Sequence, residues 1–425
     1  MQQKVYWHKL DNAAKLFPAI SKKDRSNVFR ISFYMNEPVN SDTLELAVNK
    51  ILNRFQVFKT QLKNGLFWNY FAENKRHFKV EKEKSIICEY FKFNKNNGYM
   101  FKVFYYNNKI TLETFHALSD GRGALAFLKS IIYTYIELQG YNLNHEGLIL
   151  GELPFSNKEN EDSFIANYNP NNKRGLKEEK AYHIKGDHFN DNWSLAIKLS
   201  IPTNDLLNVV KNKYQTSLTK YLTTLFASSI IDEGLDVKQS NRLIKMFIPV
   251  DLRPYFNSNT LRNFSLYIKG TYNPKDNLSF EEMLKITDKM FAEQLTKDEL
   301  EKRLSALVGL EKNIFLRFVP LIIKNIVFKL AYQSVGESII TSSISNIGIV
   351  EVPNSLKSFV KDVEFMNSGR GINVGICSFG NNTNITFNSV IKDISIINSF
   401  IRKLKNDNLA VTLDTNYREG YDEIL

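Results

Sequence analysis

A polar segment at residues 156–189 divides this chain into two halves, and this division is what most constrains the fold. The segment is rich in Asn, Lys and Glu and has no sustained hydrophobic period, which is typical of a linker or a long crossover. On each side of it, strand-like and helix-like patterns alternate. We therefore expect a two-lobed α/β protein, with an N-terminal lobe at 1–155 and a C-terminal lobe at 190–425.

Each half is expected to contain a mixed sheet flanked by helices. Strand patterns occur at 28–35, 67–71, 99–106, 109–115, 193–201, 243–250, 339–344, 372–379 and 384–390. Helical spacing of apolar residues begins near Asp42, after Gly121, and at 203–210, 218–231, 279–295 and 394–404. The stretch from Asp42 to Glu45 resembles a capping box, which would start the first of these helices.

Composition narrows the class of protein. A chain that is 43% hydrophobic and 13% aromatic can bury a large core, so it is not a disordered protein. The net charge of +11 suits an anionic partner or simply aids solubility, but the sequence has no Lys/Arg block and no nucleic-acid motif. We expect no nucleic-acid partner. Two widely separated cysteines and a start without a signal peptide favour a cytoplasmic location.

The apolar segment at 314–330 raises the question of a membrane contact. It is short beside the roughly 20 apolar residues that a spanning helix needs, and Arg317, Lys324 and Lys329 interrupt it. We expect a core or groove helix that is broken near Pro320. The alternative is a weak peripheral membrane contact through a basic amphipathic face.

The stretch His116-Ala-Leu-Ser-Asp120-Gly121 is the best candidate for chemistry. It follows a predicted strand in which Ile110, Leu112 and Thr114 share one face, and His116 continues that face. A histidine that points inward there is either a core group or a general base. Asp120 can pair with a cation or cap the next helix, and Gly121 leaves room for substrate or for an unusual backbone angle.

Two weaker patterns predict no site. The glycines of Gly369-Arg-Gly-Ile-Asn-Val-Gly375 precede a predicted strand, whereas a dinucleotide loop opens a helix. His183 and His188 flank Asp187 without a further set of ligands, so we expect no bound metal.

With these residues in view, the chain resembles the coenzyme A-dependent acyltransferase superfamily, which includes chloramphenicol acetyltransferase, the plant BAHD enzymes and the condensation domains of peptide synthetases. The resemblance rests on the His-x-x-x-Asp-Gly motif and two further stretches. Asn53-Arg-Phe-Gln-Val-Phe58 is similar to the family's Arg-Phe-Pro segment, and Ser343-Ile-Ser-Asn-Ile-Gly348 to its Ser-Asn-x-Gly segment. The Asp-Phe-Gly-Trp-Gly motif of plant members is missing, so the chain looks most like bacterial alcohol acetyltransferase-like members.

The resemblance implies a chloramphenicol acetyltransferase-like fold with an active-site tunnel at the lobe junction. It implies that His116 is the general base and that Asp120 pairs with Arg253 and holds the motif loop. Ser345 and Asn346, with Thr341 behind them, are the implied oxyanion donors. Acyl-coenzyme A, most simply acetyl, would be the co-substrate, with no permanently bound cofactor. The acceptor would be a small alcohol or amine, and a monomer would suffice.

Two alternatives stay open. A stand-alone condensation-type enzyme would take its acyl group from an acyl carrier protein and form an amide or an ester. A non-catalytic binding protein could keep the same fold, and an occluded tunnel would favour that interpretation.

Overall fold

The computed structural model describes residues 7–172, 179–190, 193–312, 318–332, 336 and 338–417 as an α/β protein with three sheets. The strands are β1 Trp7–Lys9, β2 Val28–Met35, β3 Thr60–Asn64, β4 Asn69–Glu73, β5 Glu81–Lys82, β6 Phe101–Tyr106, β7 Lys109–Phe115, β8 Leu195–Pro202, β9 Ile244–Asp251, β10 Ser265–Tyr272, β11 Ser342–Ile349, β12 Val360–Asn367, β13 Ile372–Phe379, β14 Asn382–Ser389 and β15 Thr412–Thr415. The helices are α1 Phe17–Ile20, α2 Ser41–Leu52, α3 Gly121–Leu138, α4 Ser163–Ala166, α5 Thr203–Asn208, α6 Leu218–Glu233, α7 Arg253–Phe256, α8 Phe280–Gln294, α9 Lys297–Lys312, α10 Leu321–Ala331, α11 Asn354–Lys357 and α12 Ser395–Asn406.

The first sheet has five strands in the order β12-β2-β7-β6-β5. Apolar and polar residues alternate along β2 and β7, and the register pairs Ile31 with Leu112 and Arg30 with Glu113. The apolar face carries the core of the first half, and α2 and α3 pack together over the same core. β7 is the central strand of this sheet and ends at Phe115, so His116 lies directly after its C-terminal end.

The second sheet has seven strands in the order β10-β9-β11-β13-β14-β8-β15. β11 runs parallel to both β9 and β13, whereas the other pairs are antiparallel. Its core includes Leu199, Phe226, Ile376 and Phe387, and α6 packs against α8 and α12. The third, smaller sheet is β1-β4-β3. Two larger sheets flanked by helices are the architecture that the sequence predicts.

One strand passes from the second half of the chain into the first sheet. β12 pairs antiparallel with β2 along its length, with Phe365 opposite Ile31. The predicted linker at 156–189 contains a 3-10 turn at Asn157–Asn160 and the short helix α4. Glu159 in that turn forms an ion pair with Arg54 at 2.7 Å, which fastens the segment to the first half. The lobe boundaries at 155 and 190 stay a prediction.

Three local predictions are wrong. Asn40, not Asp42, caps α2, because its side chain accepts the backbone N–H of Thr43. β11 spans Ser342–Ile349 and not the predicted 339–344, so Ser345 and Asn346 lie inside the strand. In the segment 314–330, residues 314–317 lie outside the described residues, and the predicted break near Pro320 is confirmed, because Pro320 is the N-cap of α10. The core placement of this helix is wrong, because Ile322, Ile323 and Ile326 are exposed, whereas the groove placement agrees with Lys324 and Phe328, which line a cavity. Among the described residues, no helix is long and apolar enough to cross a membrane.

Candidate active site

A cavity of about 1210 Å³ lies between the two larger sheets. Both halves of the chain supply its wall, with Phe29 and His116 from the first half and Pro249 and Phe365 from the second. All the site residues predicted from the sequence line this one cavity: His116, Asp120, Gly121, Arg253, Thr341, Ser345 and Asn346. Residues that are hundreds of positions apart in the chain therefore line one cavity.

His116 follows the last residue of β7 and is held by aromatic rings. Its imidazole stacks on Phe17, with ring centroids 4.9 Å apart, and meets the edge of Phe29 at 5.1 Å. Its backbone N–H donates to the carbonyl of Asn27 at 2.9 Å. Burial lowers the pKa of His116 below its ordinary value, because the charged imidazolium loses its hydration. The ring is therefore neutral at pH 7.

The tautomer of His116 is set by Asn263, a residue that the sequence analysis missed. Nδ1 of His116 lies 3.0 Å from Oδ1 of Asn263. The amide group of Asn263 donates in turn to the buried carboxylate of Asp11 at 3.4 Å, which orients the amide oxygen towards the imidazole. Since that oxygen can only accept, Nδ1 carries the proton and Nε2 is left as the basic nitrogen. Asn263 is 147 positions from His116, and no spacing in the sequence signals their contact.

Asp120 is turned towards the second half of the chain. Its carboxylate accepts the backbone N–H groups of Gly123 at 3.1 Å and Phe264 at 2.9 Å. Both terminal nitrogens of Arg253 also bond to it, at 2.9 and 3.1 Å. The carboxylate thus caps α3 and fastens α3 to the loop after β9. The predicted partners Asp120 and Arg253 are in direct contact.

Arg253 is itself held on several sides. Nε donates to the carbonyl of Thr260 at 2.8 Å, one terminal nitrogen donates to the carbonyl of Arg262 at 2.8 Å, and the other pairs with Asp251 at 2.8 Å. A guanidinium supplies five donors in a fixed plane, which suits it to such a site. These bonds hold the loop that carries Asn263.

Glycines allow the close approach of the two halves at the start of α3. A Cβ on Gly121 would lie 3.2 Å from the side chain of Ile347 in β11. A Cβ on Gly123, which the sequence analysis did not single out, would overlap the carbonyl oxygen of Leu261. Ser119 donates a hydrogen bond to that same carbonyl at 2.5 Å. Gly121 has no positive φ, so its role here is space and not an unusual backbone angle.

Ser345 is a buried serine on the cavity wall, and its hydroxyl oxygen accepts a hydrogen bond. It is 8% exposed, and its Oγ accepts a hydrogen bond from the amide of Asn367 at 3.1 Å. The neighbouring Ser343 accepts from the same amide and donates its own proton to Asn373 at 2.8 Å. The two serines therefore differ: in the described part of the chain, the hydroxyl of Ser343 donates to a protein acceptor, whereas that of Ser345 only accepts.

Asn346 and Thr341 have supporting contacts. The amide of Asn346 donates to Thr219 of α6 at 3.0 Å, and its oxygen accepts the N–H of Gly348 at 2.8 Å, at the irregularity of β11. The hydroxyl of Thr341 accepts the N–H of Lys245 at 3.0 Å, which joins the start of β11 to β9. The side chain of Asn346 therefore connects β11 to α6, and that of Thr341 connects the residue before β11 to β9.

Cations also line the cavity wall. Arg122 at the start of α3 pairs with Asp251 at 2.7 Å, and the ammonium of Lys129, about two turns further along the same face, donates to the carbonyl of Glu351 at 2.9 Å. Burial lowers the pKa of Lys129, since the charged form is partly desolvated. Such groups can attract an anionic molecule to this side of the cavity.

The two weaker sequence patterns lie beside the same cavity. His183, His188, Gly369 and Gly371 line the cavity, but the described residues contain no group of three or more His, Cys, Asp or Glu that could hold a metal ion. The glycine-rich stretch leads into β13, as the sequence predicts, and does not open a helix.

Comparison with known proteins identifies the fold. No protein-family profile and no curated protein sequence matches the chain significantly. Among solved structures, TRI101 of Fusarium sporotrichioides, complexed with coenzyme A and T-2, is 12% identical with a TM-score of 0.63, and the match covers 97% of this chain and 100% of that one. TRI3 trichothecene 15-O-acetyltransferase from the same organism is 10% identical with a TM-score of 0.59, over 95% and 94% of the two chains.

A condensation domain gives a similar match. The first condensation domain of the CDA synthetase is 11% identical with a TM-score of 0.56, and the match covers 96% of this chain and 99% of that domain. The chain therefore has the two-lobed fold shared by acetyltransferases and condensation domains, which is the fold that the His-x-x-x-Asp-Gly resemblance implies.

Proposed function

We propose that this protein is a coenzyme A-dependent acyltransferase that moves an acyl group, most simply acetyl, to the hydroxyl of a small alcohol, with an amine as the alternative acceptor. The observation that carries the proposal is the neutral imidazole of His116 on the wall of a large cavity, with Nδ1 held by Asn263. A base for an alcohol needs an unprotonated nitrogen, and the hydrogen bond of Nδ1 to Asn263 leaves Nε2 in that state.

In the proposed reaction, Nε2 of His116 takes the proton of the acceptor hydroxyl as the oxygen attacks the thioester carbonyl. A tetrahedral oxyanion forms, and the hydroxyl of Ser345 donates a hydrogen bond to it. The C–S bond then breaks, the carbonyl forms again, and the thiolate of coenzyme A receives the proton from Nε2. Positioning in the cavity and stabilisation of the oxyanion supply most of the acceleration, since general-base catalysis contributes about 10²–10⁴-fold.

Asp120 and Arg253 position this machinery in our proposal and do not exchange protons with the substrate. The carboxylate of Asp120 accepts hydrogen bonds from Arg253, Gly123 and Phe264. These bonds occupy its oxygens with groups other than the imidazole of His116. Gly121 gives the first turn of α3 its close contact with β11. Arg122 and Lys129 are our candidates for attracting the phosphates of coenzyme A, because both line the cavity wall.

The condensation-type alternative differs in its donor. A condensation-type enzyme would have the same fold, and His116 would be the base for transfer of an acyl group from a carrier protein. A binding protein without activity is the less favoured alternative, because His116, Ser343 and Ser345 border a cavity of about 1210 Å³ and not a filled core.

A thiol-release assay tests the proposal. Wild-type protein and His116→Ala are incubated with acetyl-coenzyme A and a panel of alcohols and amines, and free coenzyme A is measured. We expect release with an alcohol to fall about 10²–10⁴-fold in His116→Ala. Equal release by both proteins would contradict the proposed base. Transfer from an acyl carrier protein but not from acyl-coenzyme A would assign the condensation-type activity instead.

A further inference from the structure

An exposed apolar surface borders the cavity at α10. Ile322 is 77% exposed, Ile326 is 56% exposed, and Ile323 and Val327 lie beside them at helical spacing. Phe318, which precedes α10, is 70% exposed, and Leu66, at the tip of the β3–β4 hairpin, is 73% exposed. We call these six residues the apolar rim. Single exposed apolar residues are ordinary on protein surfaces, but a contiguous group of this kind marks a binding surface.

The opposite side of α10 is fastened to the hairpin and faces the cavity. The backbone N–H of Leu321 donates to the carbonyl of Leu66 at 2.9 Å, and the ammonium of Lys324 donates to the carbonyl of Phe67 at 2.9 Å. The same ammonium lies 3.7 Å from the ring centroid of Trp68. Lys324, Phe328 and Trp68 line the cavity. The rim and the cavity are therefore two sides of one helix.

The chemistry of the rim suits a lipid surface. Its six side chains are aliphatic or phenyl and offer no hydrogen-bonding group, whereas protein interfaces carry about one hydrogen bond per 100–200 Å². Exposed lysines stand beside it, Lys329 on α10 and Lys63 on β3, and the whole chain has a net charge of +11. An apolar helix face with basic neighbours is typical of helices that lie in the headgroup region of anionic membranes.

The wall of the cavity beneath α10 also carries apolar side chains. It includes Leu16, Phe17, Ile20, Phe29 and Leu310. A molecule that prefers this wall to water also partitions into a bilayer, because both transfers remove apolar surface from water. A surface that binds the bilayer next to such a cavity brings the protein to the place where an apolar acceptor is concentrated.

We propose that the apolar rim binds the surface of an anionic membrane, and that the acceptor is an apolar alcohol that reaches the cavity from that membrane. The statement about the acceptor rests on the proposed acyl transfer, whereas the statement about the membrane does not.

Flotation with lipid vesicles tests the membrane contact without any catalysis. The full chain is mixed with vesicles of phosphatidylcholine alone, or of phosphatidylcholine with phosphatidylglycerol. We expect the protein to float with the phosphatidylglycerol vesicles, and binding to weaken as salt is raised. In Ile322→Glu and Ile326→Glu, the partition coefficient should fall about tenfold or more for each substitution, because an apolar contact is replaced by a charge that the anionic surface repels.

Leu46→Glu is the matched control. Leu46 is an aliphatic residue on α2 that is 61% exposed, far in the sequence from α10, so this variant should float like the wild type. Circular dichroism checks that all three variants fold. Equal flotation of wild type and rim variants, or no flotation of the wild type, would overturn the proposal.

Two other occupants of the rim give distinct results. A wild-type dimer in light scattering that Ile322→Glu converts to a monomer, without vesicle binding, would assign the rim to a second copy of this chain. Binding of a purified acyl carrier protein that the same variants abolish, again without vesicle binding, would assign it to carrier docking. Either result would overturn the lipid assignment.

Activity separates this proposal from the proposed function. His116→Ala should float like the wild type, and the rim variants should release coenzyme A normally with a short, water-soluble alcohol. With a long-chain alcohol presented in vesicles, the rim variants should be about tenfold slower or more, as expected from their weaker partitioning. If flotation depends on the rim but His116→Ala is fully active, the membrane proposal is supported and the assignment of His116 as the base is wrong.

Discussion

Both terminal nitrogens of Arg253 bond to the carboxylate of Asp120, at 2.9 and 3.1 Å, and join the start of α3 to the loop after β9. The side chains are 4% and 7% exposed, so the pair is almost fully removed from water. Such a pair adds little net stability, but removing one member leaves an uncompensated buried charge, which costs about 3–5 kcal/mol. The contact therefore makes the position of the His116 loop depend on the second half of the chain.

Asp120→Asn is expected to lower the free energy of unfolding by up to about 3 kcal/mol and to lower the rate as well, because Arg253 loses one of its two carboxylate partners and keeps only Asp251. Denaturant unfolding and thiol release measure the two effects. Asp236→Asn is the control, since Asp236 pairs with an exposed Lys185 and its loss should change little. Lost activity with unchanged stability would instead give Asp120 a direct chemical role.

The pH dependence of activity should follow the state of His116. Burial lowers the pKa of this imidazole below 6.5, and the neutral form is the one that acts as a base. Activity is therefore expected to be constant around pH 7 and to fall only as the pH drops below 6.5. The midpoint of the acid limb of a profile of kcat/KM against pH measures the pKa of His116 in the free enzyme. A midpoint at or above pH 7 would contradict the proposed environment of the ring.

Asn263→Leu is expected to lower kcat about tenfold or more while KM changes little, because Nδ1 loses the acceptor that selects the tautomer. The buried Asp11 also loses one donor, so unfolding is measured beside the kinetics. Asn263→Gln keeps the amide and should recover part of the rate. A purely structural residue would change stability but leave kcat of the folded fraction intact.

Ser345→Ala should lower kcat by about 10²-fold, as expected for the loss of one oxyanion donor. Ser343→Ala is the control, because Ser343 accepts from the same amide of Asn367 but gives its own proton to Asn373. Both variants disturb the same hydrogen bonds, so a shared small effect would be structural. If the two serines lose activity equally, the oxyanion is stabilised by another group.

Gly123→Ala should destabilise the protein by more than 1 kcal/mol, since the added Cβ overlaps the backbone carbonyl of Leu261 and the two halves would have to separate. Gly309→Ala is the opposite case. It lies in α9 with nothing within 4 Å of an added Cβ, so alanine should stabilise that helix by about 0.5–1 kcal/mol. Thermal unfolding of both variants checks the opposite signs.

The sequence was sufficient to predict the elements whose residues repeat with a clear period. β2, β7 and α3 lie where alternation and helical spacing place them. The predicted start of α2 was wrong, because Asn40 and not Asp42 caps the helix. The predicted bounds of β11 were wrong, because strands far away in the sequence pair with it on both sides. Exposure of α10 could not be inferred, since an apolar helix looks the same whether it faces a core or a lipid surface.

The sequence by itself determined the α/β class and the motif residues His116, Asp120 and Gly121, because local periodicity and short spacing are written along the chain. Only the tertiary structure decided that Asn263 and Asp11 orient His116, that β12 joins the first sheet, and that Ser345 differs from Ser343. Those relationships depend on which residues far apart in the chain meet when the core is buried, and a hydrogen bond across 147 positions leaves no local pattern.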